Sequence, residues 1–449
     1  PEPYYNLGYI YSLCKQFDQA KEFYQKAADL NNNYLEGLIS LVNNQLKLLE
    51  NENAFELTDI ILSKYNSHNS EVFEELAKKF YSFGYLQKAS EIIKRGLELN
   101  FHSSLLYLLL GNILCDQRQF SEAIAQYKNA EKHKSQENNI SASAIIHNII
   151  FYKHYLTNIS KQDLYDTLIN WRQEYVPSNI EHLFSHPKIN DKDKILRIGI
   201  LGKNLRSNPT GLFTISAYEK ISMCNAELIA YNDTQDPDEI TNRFYNICNE
   251  WRIIKDMPTR QIAEQINRDK IDILIDHTGH AGENLLYVML YKPAPVQIKW
   301  VGGQFNTTGA HDIDYFVTDW LETPEGEGKW YTEELLRMPD AYVCYSPPSD
   351  LPEVSMLPAL KNGYITFGSF NKPNKMNEQI IRLWSRILKA VPDSRIFLKY
   401  STLNEEENKE LLYDSFAKQG IDRDRIIIEG KSNRYNLLKT YHYVDIALD

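Results

Sequence analysis

A repeat of 34 residues in the first third of the chain limits its fold more than any other feature. The repeat is defined by a Leu-Gly pair followed by small residues, at Leu7, Gly8, Ala20 and Ala27 and again at Leu110, Gly111, Ala123 and Ala130. Weaker copies begin at Leu41 and Leu76. This period is typical of tetratricopeptide repeats, in which small residues let two antiparallel helices approach closely. Residues 1–140 are therefore predicted to form an all-α tetratricopeptide-repeat solenoid.

The segment 141–194 lacks the repeat signature and is predicted to be a helical cap and a linker. Apolar residues keep a helical spacing through IIHNIIFYKHYL and LYDTLINW. Pro177 and Pro187 then fall in a charged stretch, which indicates a connector before a new pattern begins.

Short apolar, β-branched runs alternate with amphipathic helices over 195–345, and the alternation restarts over 346–449. Such alternation predicts βαβ units with largely parallel sheets. The fold class is thus multidomain, with a helical solenoid followed by an α/β region of two Rossmann-like lobes. The chain lacks an initial Met and ends on the strand-like run VDIALD, so we expect a piece of a longer protein with an incomplete second lobe.

Composition excludes several classes of protein. The net charge of −11 disfavours nucleic acid or an anionic membrane as the main partner. The five cysteines are scattered and never spaced as C-x-x-C, which argues against a disulfide framework or a zinc site. No apolar run reaches the roughly 18 residues that span a bilayer. A cytoplasmic protein is the expectation.

Three loops that follow predicted strands are candidates for a binding site, because ligands bind at the carboxyl ends of strands in such sheets. The chain has no G-x-G-x-x-G and no P-loop motif, which argues against a dinucleotide oxidoreductase or a P-loop NTPase. In the first loop, FGSFNKPNK (367–375), Lys375 precedes a predicted helix start, where a phosphate or diphosphate can bind. The alternative is a solvated lysine.

The other two loops offer histidines and glycines. In DHTGHAGEN (276–284), His277 and His280 can serve as acid or base near neutral pH, or can be hydrogen-bonded structural residues. In WVGGQFNTTGA (300–310), the glycines permit a close approach of the backbone and the threonines offer hydroxyls, unless the loop is a tight turn packed under the next strand. The residues of this third loop are Gly302, Gly303, Thr307 and Thr308.

Several longer stretches resemble one known family. KIDILIDHTGH, KPAPVQIKWVGG, NTTGAHDIDYFVTD, ELLRMPDAYVCYSP and ITFGSFNKPNKMNEQIIRLWSRILKAVPDSRIFLK occur in this order. From about residue 195 to 449 the order and spacing resemble the catalytic region of the O-GlcNAc transferase and SPINDLY family, and the repeats match that family's architecture. The resemblance implies a GT-B fold and inverting, metal-independent transfer of a sugar from a nucleotide diphosphate to Ser or Thr of proteins.

The resemblance also implies roles for residues in two of the loops. Lys375 matches the family's lysine that contacts the donor diphosphate, and Asn371 and Lys372 fall in the same donor-binding motif. Gly302 matches the glycine of a W-x-G-Y-P loop beside the acceptor, where this chain has Gly303 in place of the tyrosine. We expect the acceptor-side loops to include Thr307, Thr308 and Pro209 as well.

One departure from the family concerns proton transfer. Where the family has a histidine followed by proline, in a pattern like D-x-R-x-H-P, this chain has Asn208 and Pro209. An amide cannot take a proton at neutral pH. The base is then expected to be His280 or a donor phosphate oxygen, or general-base catalysis is much reduced.

The expected function is protein O-glycosylation with UDP-GlcNAc as the donor, on acceptor proteins selected by the repeats. Neither a cofactor nor a metal ion is expected. A GDP-fucose-dependent O-fucosyltransferase of SPINDLY type is one alternative, because DILIDHTGH and ALKNGYITFGSFN are close to such sequences. A repeat-based scaffold with a weak transferase domain is the other.

Overall fold

The computed structural model describes the chain in two compact units, Pro1–Leu156 and Thr157–Asp449. It describes all residues except 32–33, 65–69, 100–102, 134–141, 177–179, 181–182, 187–190, 192, 204, 235, 282–284, 304–305, 348–349, 405 and 449. Within this described part, every helix is too short or too polar to span a lipid bilayer.

The first unit is all-helical. Its helices are α1 (Glu2–Leu13), α2 (Phe17–Leu30), α3 (Leu35–Lys47), α4 (Asn51–Lys64), α5 (Ser70–Ser82), α6 (Leu86–Glu98), α7 (Ser104–Asp116), α8 (Phe120–Lys132) and α9 (Ala142–Lys153). The repeated glycines are explained by packing, because a Cβ on Gly8 would lie 2.8 Å from the Tyr24 ring and one on Gly111 would lie 2.5 Å from the Tyr127 ring. The predicted repeat architecture is therefore confirmed.

The second unit is an α/β region with parallel strands. Its strands are β1 (Leu196–Gly202), β2 (Ala226–Asn232), β3 (Glu250–Ile253), β4 (Ile273–Asp276), β5 (Val296–Lys299), β6 (Tyr315–Asp319), β7 (Glu334–Met338), β8 (Thr366–Ser369), β9 (Arg395–Lys399), β10 (Ile426–Glu429) and β11 (Ile446–Ala447). Its helices are α10 (Lys161–Glu174), α11 (Pro209–Ile221), α12 (Glu239–Ile247), α13 (Thr259–Arg268), α14 (Leu286–Leu290), α15 (Ala359–Asn362), α16 (Glu378–Ala390), α17 (Glu406–Ala417) and α18 (Arg434–Thr440).

The described strands form two sheets, as the alternating pattern predicts. The larger sheet has the order β3-β2-β1-β4-β5-β6-β7, and the smaller has the order β10-β9-β8-β11. In each sheet the chain crosses over next to the first strand of the lobe, which is β1 in the larger sheet and β8 in the smaller. This is the Rossmann-like arrangement. Strand β7 was not predicted, because its sequence ELLRM is half-buried and lacks the β-branched residues that mark the other strands.

The two lobes have separate apolar cores. Ile200, Tyr218 and Phe244 are fully buried in the core of the larger sheet, and Ile396, Leu412 and Phe416 are fully buried in that of the smaller. Because all paired strands run parallel, the loops that follow them emerge at one edge of each sheet. The three loops selected from the sequence lie at these edges, with the loops after β4 and β5 on the larger sheet and the loop after β8 on the smaller.

Helix α10 belongs to the second unit. Ser160 and Asp163 form a capping box at its start, and Trp171 in its last turn is fully buried. The Arg172 guanidinium lies 3.3 Å from an Asp312 carboxylate oxygen. The boundary between the two compact units lies after Leu156, inside the segment 141–194 that was predicted to be a helical cap and a linker. The four-segment division 1–140, 141–194, 195–345 and 346–449 stays a prediction.

Candidate active site

A cavity of about 140 Å³ lies at the carboxyl edge of the seven-stranded sheet. The loops after β1, β4 and β5 supply its walls, as expected for neighbouring parallel strands. Its lining residues are Gly202, Lys203, Leu205, Asn208, Thr210, His277, Thr278, Ala281, Gly302 and Gly303. The cavity thus brings together Asn208 and the two glycines singled out from the sequence.

The loop after β4 is organised by the buried carboxylate of Asp276. One of its oxygens accepts hydrogen bonds from the Thr278 backbone N–H (2.9 Å) and hydroxyl (2.5 Å), and the other accepts one from the Gly279 N–H (2.8 Å). Asp276 is fully shielded from solvent. These charge-assisted hydrogen bonds fix the turn that presents His277 and Thr278 to the cavity.

His277 lines the cavity, but both of its ring nitrogens are engaged. Nε2 accepts a hydrogen bond from the Tyr218 hydroxyl (2.6 Å), and Nδ1 lies 3.4 Å from the Val301 carbonyl oxygen. Burial, and to a smaller extent the nearby Lys299 ammonium, lowers the pKa of His277 to about 4. The imidazole is therefore neutral at physiological pH.

His280, which was expected from the sequence to act as the base, is not among the residues that line the cavity. Its Nε2–H donates to the Thr308 carbonyl oxygen (2.8 Å), and its ring meets the Trp171 ring edge-on at a centroid distance of 4.6 Å. Only 4% of the residue is exposed. The ring of His280 connects helix α10 to the third loop, which is the structural alternative left open by the sequence.

The loop after β5 approaches the loop after β4 backbone to backbone. A Cβ on Gly302 would lie 1.9 Å from the His277 carbonyl oxygen, and one on Gly303 would lie 2.9 Å from that of Thr278. Both glycines have positive φ, +93° and +76°. The close approach predicted for these glycines is therefore made to the neighbouring loop.

The hydroxyls of Thr307 and Thr308 point into the protein. Both donate to the carboxylate of Glu333, and the Thr308 backbone N–H lies 2.8 Å from the same carboxylate. All three residues are at least 95% buried. The two threonines hold the third loop in place, and their hydroxyls are not presented to the cavity.

Asn208 combines a place in the cavity wall with a structural role. Its side-chain oxygen accepts a hydrogen bond from the Gly211 backbone N–H (3.0 Å), which makes it the N-cap of α11. Pro209 occupies the first helical position, where its lack of an N–H has no cost. The Gly211 position is closed to other residues, since a Cβ there would lie 2.1 Å from the Arg206 carbonyl oxygen.

The donor-loop candidates lie at the carboxyl edge of the four-stranded sheet, not among the residues that line the cavity. Pro373–Lys375 forms a 3₁₀ turn after β8, and Asn377 caps α16 through a hydrogen bond from the Ile380 N–H (3.0 Å). Lys375 is exposed, while Asn371 and Lys372 are half-buried. The predicted placement of these residues before a helix start is thus observed.

One hydrogen bond joins the two lobes near the cavity. The guanidinium of Arg434, the first residue of α18, donates to the Ser207 hydroxyl at 2.6 Å. Ser207 adjoins Asn208 in the loop after β1, and its backbone N–H donates to Asp238 (2.7 Å). The smaller lobe therefore contacts the loop after β1 at the residue next to the cavity-lining Asn208.

Sequence reasoning missed two buried charged residues, Lys299 and Glu333. Lys299 was hidden inside the apolar run VQIKWV, where a lone charge was the available signal. Glu333 lies in a stretch with no recognisable pattern. No group of three or more His, Cys, Asp or Glu side chains suited to a metal ion occurs within the described ranges.

Comparisons with known proteins agree with this arrangement. Residues 175–348 match the model of glycosyl transferase family 41, and residues 1–34 match a tetratricopeptide repeat model. The fold is similar to a mutant O-GlcNAc transferase of Thermobaculum terrenum, with a TM-score of 0.78 and 25% identity, over 93% of this chain and 79% of that one.

Two named relatives come from plants. The chain is 30% identical over 307 residues to the probable UDP-N-acetylglucosamine–peptide N-acetylglucosaminyltransferase SPINDLY of Petunia hybrida, covering 67% of this chain and 33% of the relative. It is 28% identical over 282 residues to the probable UDP-N-acetylglucosamine–peptide N-acetylglucosaminyltransferase SEC of Arabidopsis thaliana, covering 59% of this chain and 28% of the relative. The chain thus spans about a third of the length of these relatives. The predicted family resemblance is confirmed.

Proposed function

Because the chain is related to the O-GlcNAc transferase and SPINDLY family, we propose that it is a protein O-glycosyltransferase. It transfers GlcNAc, with inversion, from UDP-GlcNAc to Ser or Thr hydroxyls of proteins. The names of the plant relatives state N-acetylglucosaminyl transfer to peptide, which favours UDP-GlcNAc over GDP-fucose as the donor.

The cavity at the carboxyl edge of the larger sheet is the observation that carries this proposal. Its walls are the loops after β1, β4 and β5, and the loop at the corresponding edge of the smaller sheet presents Lys375. An acceptor hydroxyl bound in the cavity meets a donor held by the smaller lobe, since ligands bind outside the carboxyl ends of parallel strands. Lys375, Lys372 and Asn371 would hold the donor.

A donor phosphate oxygen is our proposed acceptor for the hydroxyl proton. His280 is supported less well, because its Nε2–H is donated to Thr308 and its ring is buried against Trp171. His277 is neutral and its Nε2 already accepts the Tyr218 hydroxyl hydrogen. Asn208 can orient groups by hydrogen bonding but cannot accept a proton.

Transfer is proposed to need no metal ion. The charge that develops on the leaving diphosphate would be stabilised by the ammonium of Lys375 and by the N–H groups at the start of α16. Asp-x-Asp spacing occurs at four places in the sequence, which are Asp191/Asp193, Asp236/Asp238, Asp312/Asp314 and Asp422/Asp424. Of these, Asp238 caps α12, while Asp312 and Asp314 pair with Arg172 and Lys292.

The repeats are proposed to bind the acceptor proteins, as tetratricopeptide solenoids offer extended surfaces for this purpose. A cytoplasmic location is proposed because the five cysteines are scattered along the sequence and none is spaced as C-x-x-C.

A donor panel tests the proposed function. The full-length protein is incubated with labelled UDP-GlcNAc, GDP-fucose or UDP-glucose and a mixture of cell proteins, and label on protein is measured. The proposal requires label from UDP-GlcNAc at a rate at least about tenfold above the other two donors. Preferential label from GDP-fucose would replace the donor assignment, and no label from any donor would favour a binding scaffold.

A further inference from the structure

The buried lysine at the end of β5 has no role in the function proposed above. Lys299 is 2% exposed, and its ammonium lies 3.8 Å from an Asp276 carboxylate oxygen. Asp276 and Lys299 are register partners at the ends of adjacent strands. A lysine this deeply buried is rare and is costly to desolvate, so it requires compensation from its partners.

The ammonium of Lys299 bridges the two loops that form the cavity wall. It donates to the Val301 carbonyl oxygen (3.0 Å) in one loop and lies 3.5 Å from the Asp276 carbonyl oxygen at the start of the other. Asp276 in turn fixes Thr278 and Gly279 through its carboxylate. One buried cation and one buried anion thus hold both loops.

Val301, the residue held by Lys299, has a strained backbone. Its φ is +40°, in the left-handed region that a β-branched residue rarely adopts. Such a conformation persists only when surrounding contacts impose it. The Val301 carbonyl oxygen faces both the Lys299 ammonium and Nδ1 of His277. The next residue, Gly302, lies against the His277 carbonyl oxygen, where a Cβ would be only 1.9 Å away.

The space around Lys299 is matched to its side chain. A Cβ on Gly279, which has a φ of +50°, would lie 2.9 Å from Cε of Lys299. Burial lowers the pKa of Lys299, whereas the carboxylates of Asp276 and Glu333 act to raise it. The Glu333 carboxylate also accepts hydrogen bonds from the Thr307 hydroxyl and the Thr308 backbone N–H. The charged groups around Lys299 therefore also contact the third loop.

We propose that Lys299 is a positioning residue, whose buried ammonium holds the strained Val301 carbonyl and Asp276 and thereby fixes the acceptor-side wall of the cavity. It does not touch the reacting atoms. It acts through the backbone of residues 276–281 and 300–303.

Hydrogen exchange of backbone amides tests this proposal without requiring transfer activity. In the full-length protein, Lys299→Met keeps the length of the side chain and removes its charge. Exchange at residues 277–281 and 300–303 should become at least about tenfold faster, because the loops open more often. Wild-type exchange rates in both loops would contradict the proposal.

Lys399→Met is the matched control. Lys399 is the last residue of β9, is 4% exposed, and pairs with Glu429 at 2.8 Å, so it is a buried lysine at the same place in the other sheet. Its replacement should leave exchange in 277–281 and 300–303 unchanged. Equal acceleration of these loops by both substitutions would show a general loss of stability and overturn the proposal.

Val301→Gly tests whether Lys299 acts by holding the strained backbone of Val301. Glycine adopts positive φ without strain, so the loop no longer needs the lysine to hold it. In this background, Lys299→Met should change exchange at residues 300–303 less than about threefold, whereas exchange at 277–281, which depends on the pair of Lys299 with Asp276, should stay accelerated. A tenfold change at 300–303 that persists in the Val301→Gly background would contradict the mechanism. If Lys299→Met alone does not fold, Lys299→Met combined with Asp276→Asn removes both buried charges, and both loops should still exchange at least about tenfold faster than in the wild type; wild-type rates in this double variant would contradict the proposal.

A kinetic readout rests on the proposed glycosyltransferase function. For Lys299→Met the KM for the acceptor should rise about tenfold, with the donor Kd unchanged, because only the acceptor-side wall is loosened. A change in donor Kd with an unchanged acceptor KM would overturn the assignment. Absence of transfer by the wild type would refute the proposed function, while the exchange experiments would still decide the role of Lys299.

Discussion

The side-chain oxygen of Asn208 accepts a hydrogen bond from the backbone N–H of Gly211 at 3.0 Å. Asn208, which stands where the family resemblance implies a histidine, is thus the N-cap of α11 while it also lines the cavity. An asparagine is among the preferred residues for an N-cap, and a histidine is not. The asparagine therefore caps the helix at the position where the resemblance implies an imidazole.

Removing this cap should lower stability. Asn208→Ala is expected to reduce the free energy of unfolding by about 1 kcal/mol, whereas Asn208→Asp should retain the cap and nearly all of the stability. Urea denaturation of the three proteins provides the measurement. Equal losses for the alanine and aspartate variants would show that the hydrogen bond to Gly211 contributes nothing.

Asn208→His tests whether the imidazole is missing for catalysis. If a donor phosphate oxygen accepts the proton, the rate of transfer should change by less than about tenfold, against the 10²–10⁴-fold typical of a general base. The measurement is the transfer rate at saturating donor, corrected for the folded fraction. A rise of 100-fold or more, on the order of a general base, would show that the wild type lacks this group.

Lys375→Ala should weaken donor binding and leave the fold intact. Lys375 is exposed, and loss of a charge-assisted contact to a diphosphate typically lowers affinity about 10–100-fold. Calorimetric titration with UDP-GlcNAc measures the effect. Lys418→Ala, which removes an exposed lysine from the same lobe, is the control and should bind as the wild type does. Unchanged affinity of Lys375→Ala would refute the donor-site assignment.

The buried His277 should make the second unit sensitive to acid. Its pKa is lowered to about 4 in the folded protein, against 6.5 ordinarily, so the unfolded state binds the additional proton as pH falls. The free energy of unfolding should therefore decrease by about 2 kcal/mol between pH 7.5 and pH 5 through this group alone. His277→Gln lacks this contribution, so its unfolding should depend less on pH. Identical pH dependence of the two proteins would contradict the buried, neutral state.

Excess EDTA should leave sugar transfer unaffected, because Lys375 and the helix start are proposed to stabilise the leaving diphosphate. Initial rates with and without EDTA, followed by addition of Mg²⁺ or Mn²⁺, provide the measurement. Activity that disappears with EDTA and returns with a metal ion would refute metal-independent transfer.

Periodicity accounts for most of what the sequence predicted about the fold. The recurrence of Gly8 at Gly111 follows from helix packing, and together with the recurrence of Leu7 at Leu110 it identified the repeats. Strands such as β1 were visible because they are buried on both faces. Strand β7 is only half-buried, so its sequence carries no comparable signal.

The sequence predicted which loops form the site, but it did not predict what the individual side chains in those loops contact. Residues that follow strands were found, since parallel strands end at one edge. Whether a polar group faces a ligand or the protein depends on distant partners. Thr308 bonds to Glu333, 25 residues away, and His280 bonds to Thr308. Local spacing contains no information about either contact.

The most direct test of the central claim is transfer of labelled GlcNAc from UDP-GlcNAc to protein by the full-length wild type, with Lys375→Ala and Lys418→Ala assayed in parallel. We predict label on Ser or Thr residues with the wild type and with Lys418→Ala, and a strong loss with Lys375→Ala. A wild type that binds proteins through its repeats yet transfers no sugar from this donor would contradict the claim.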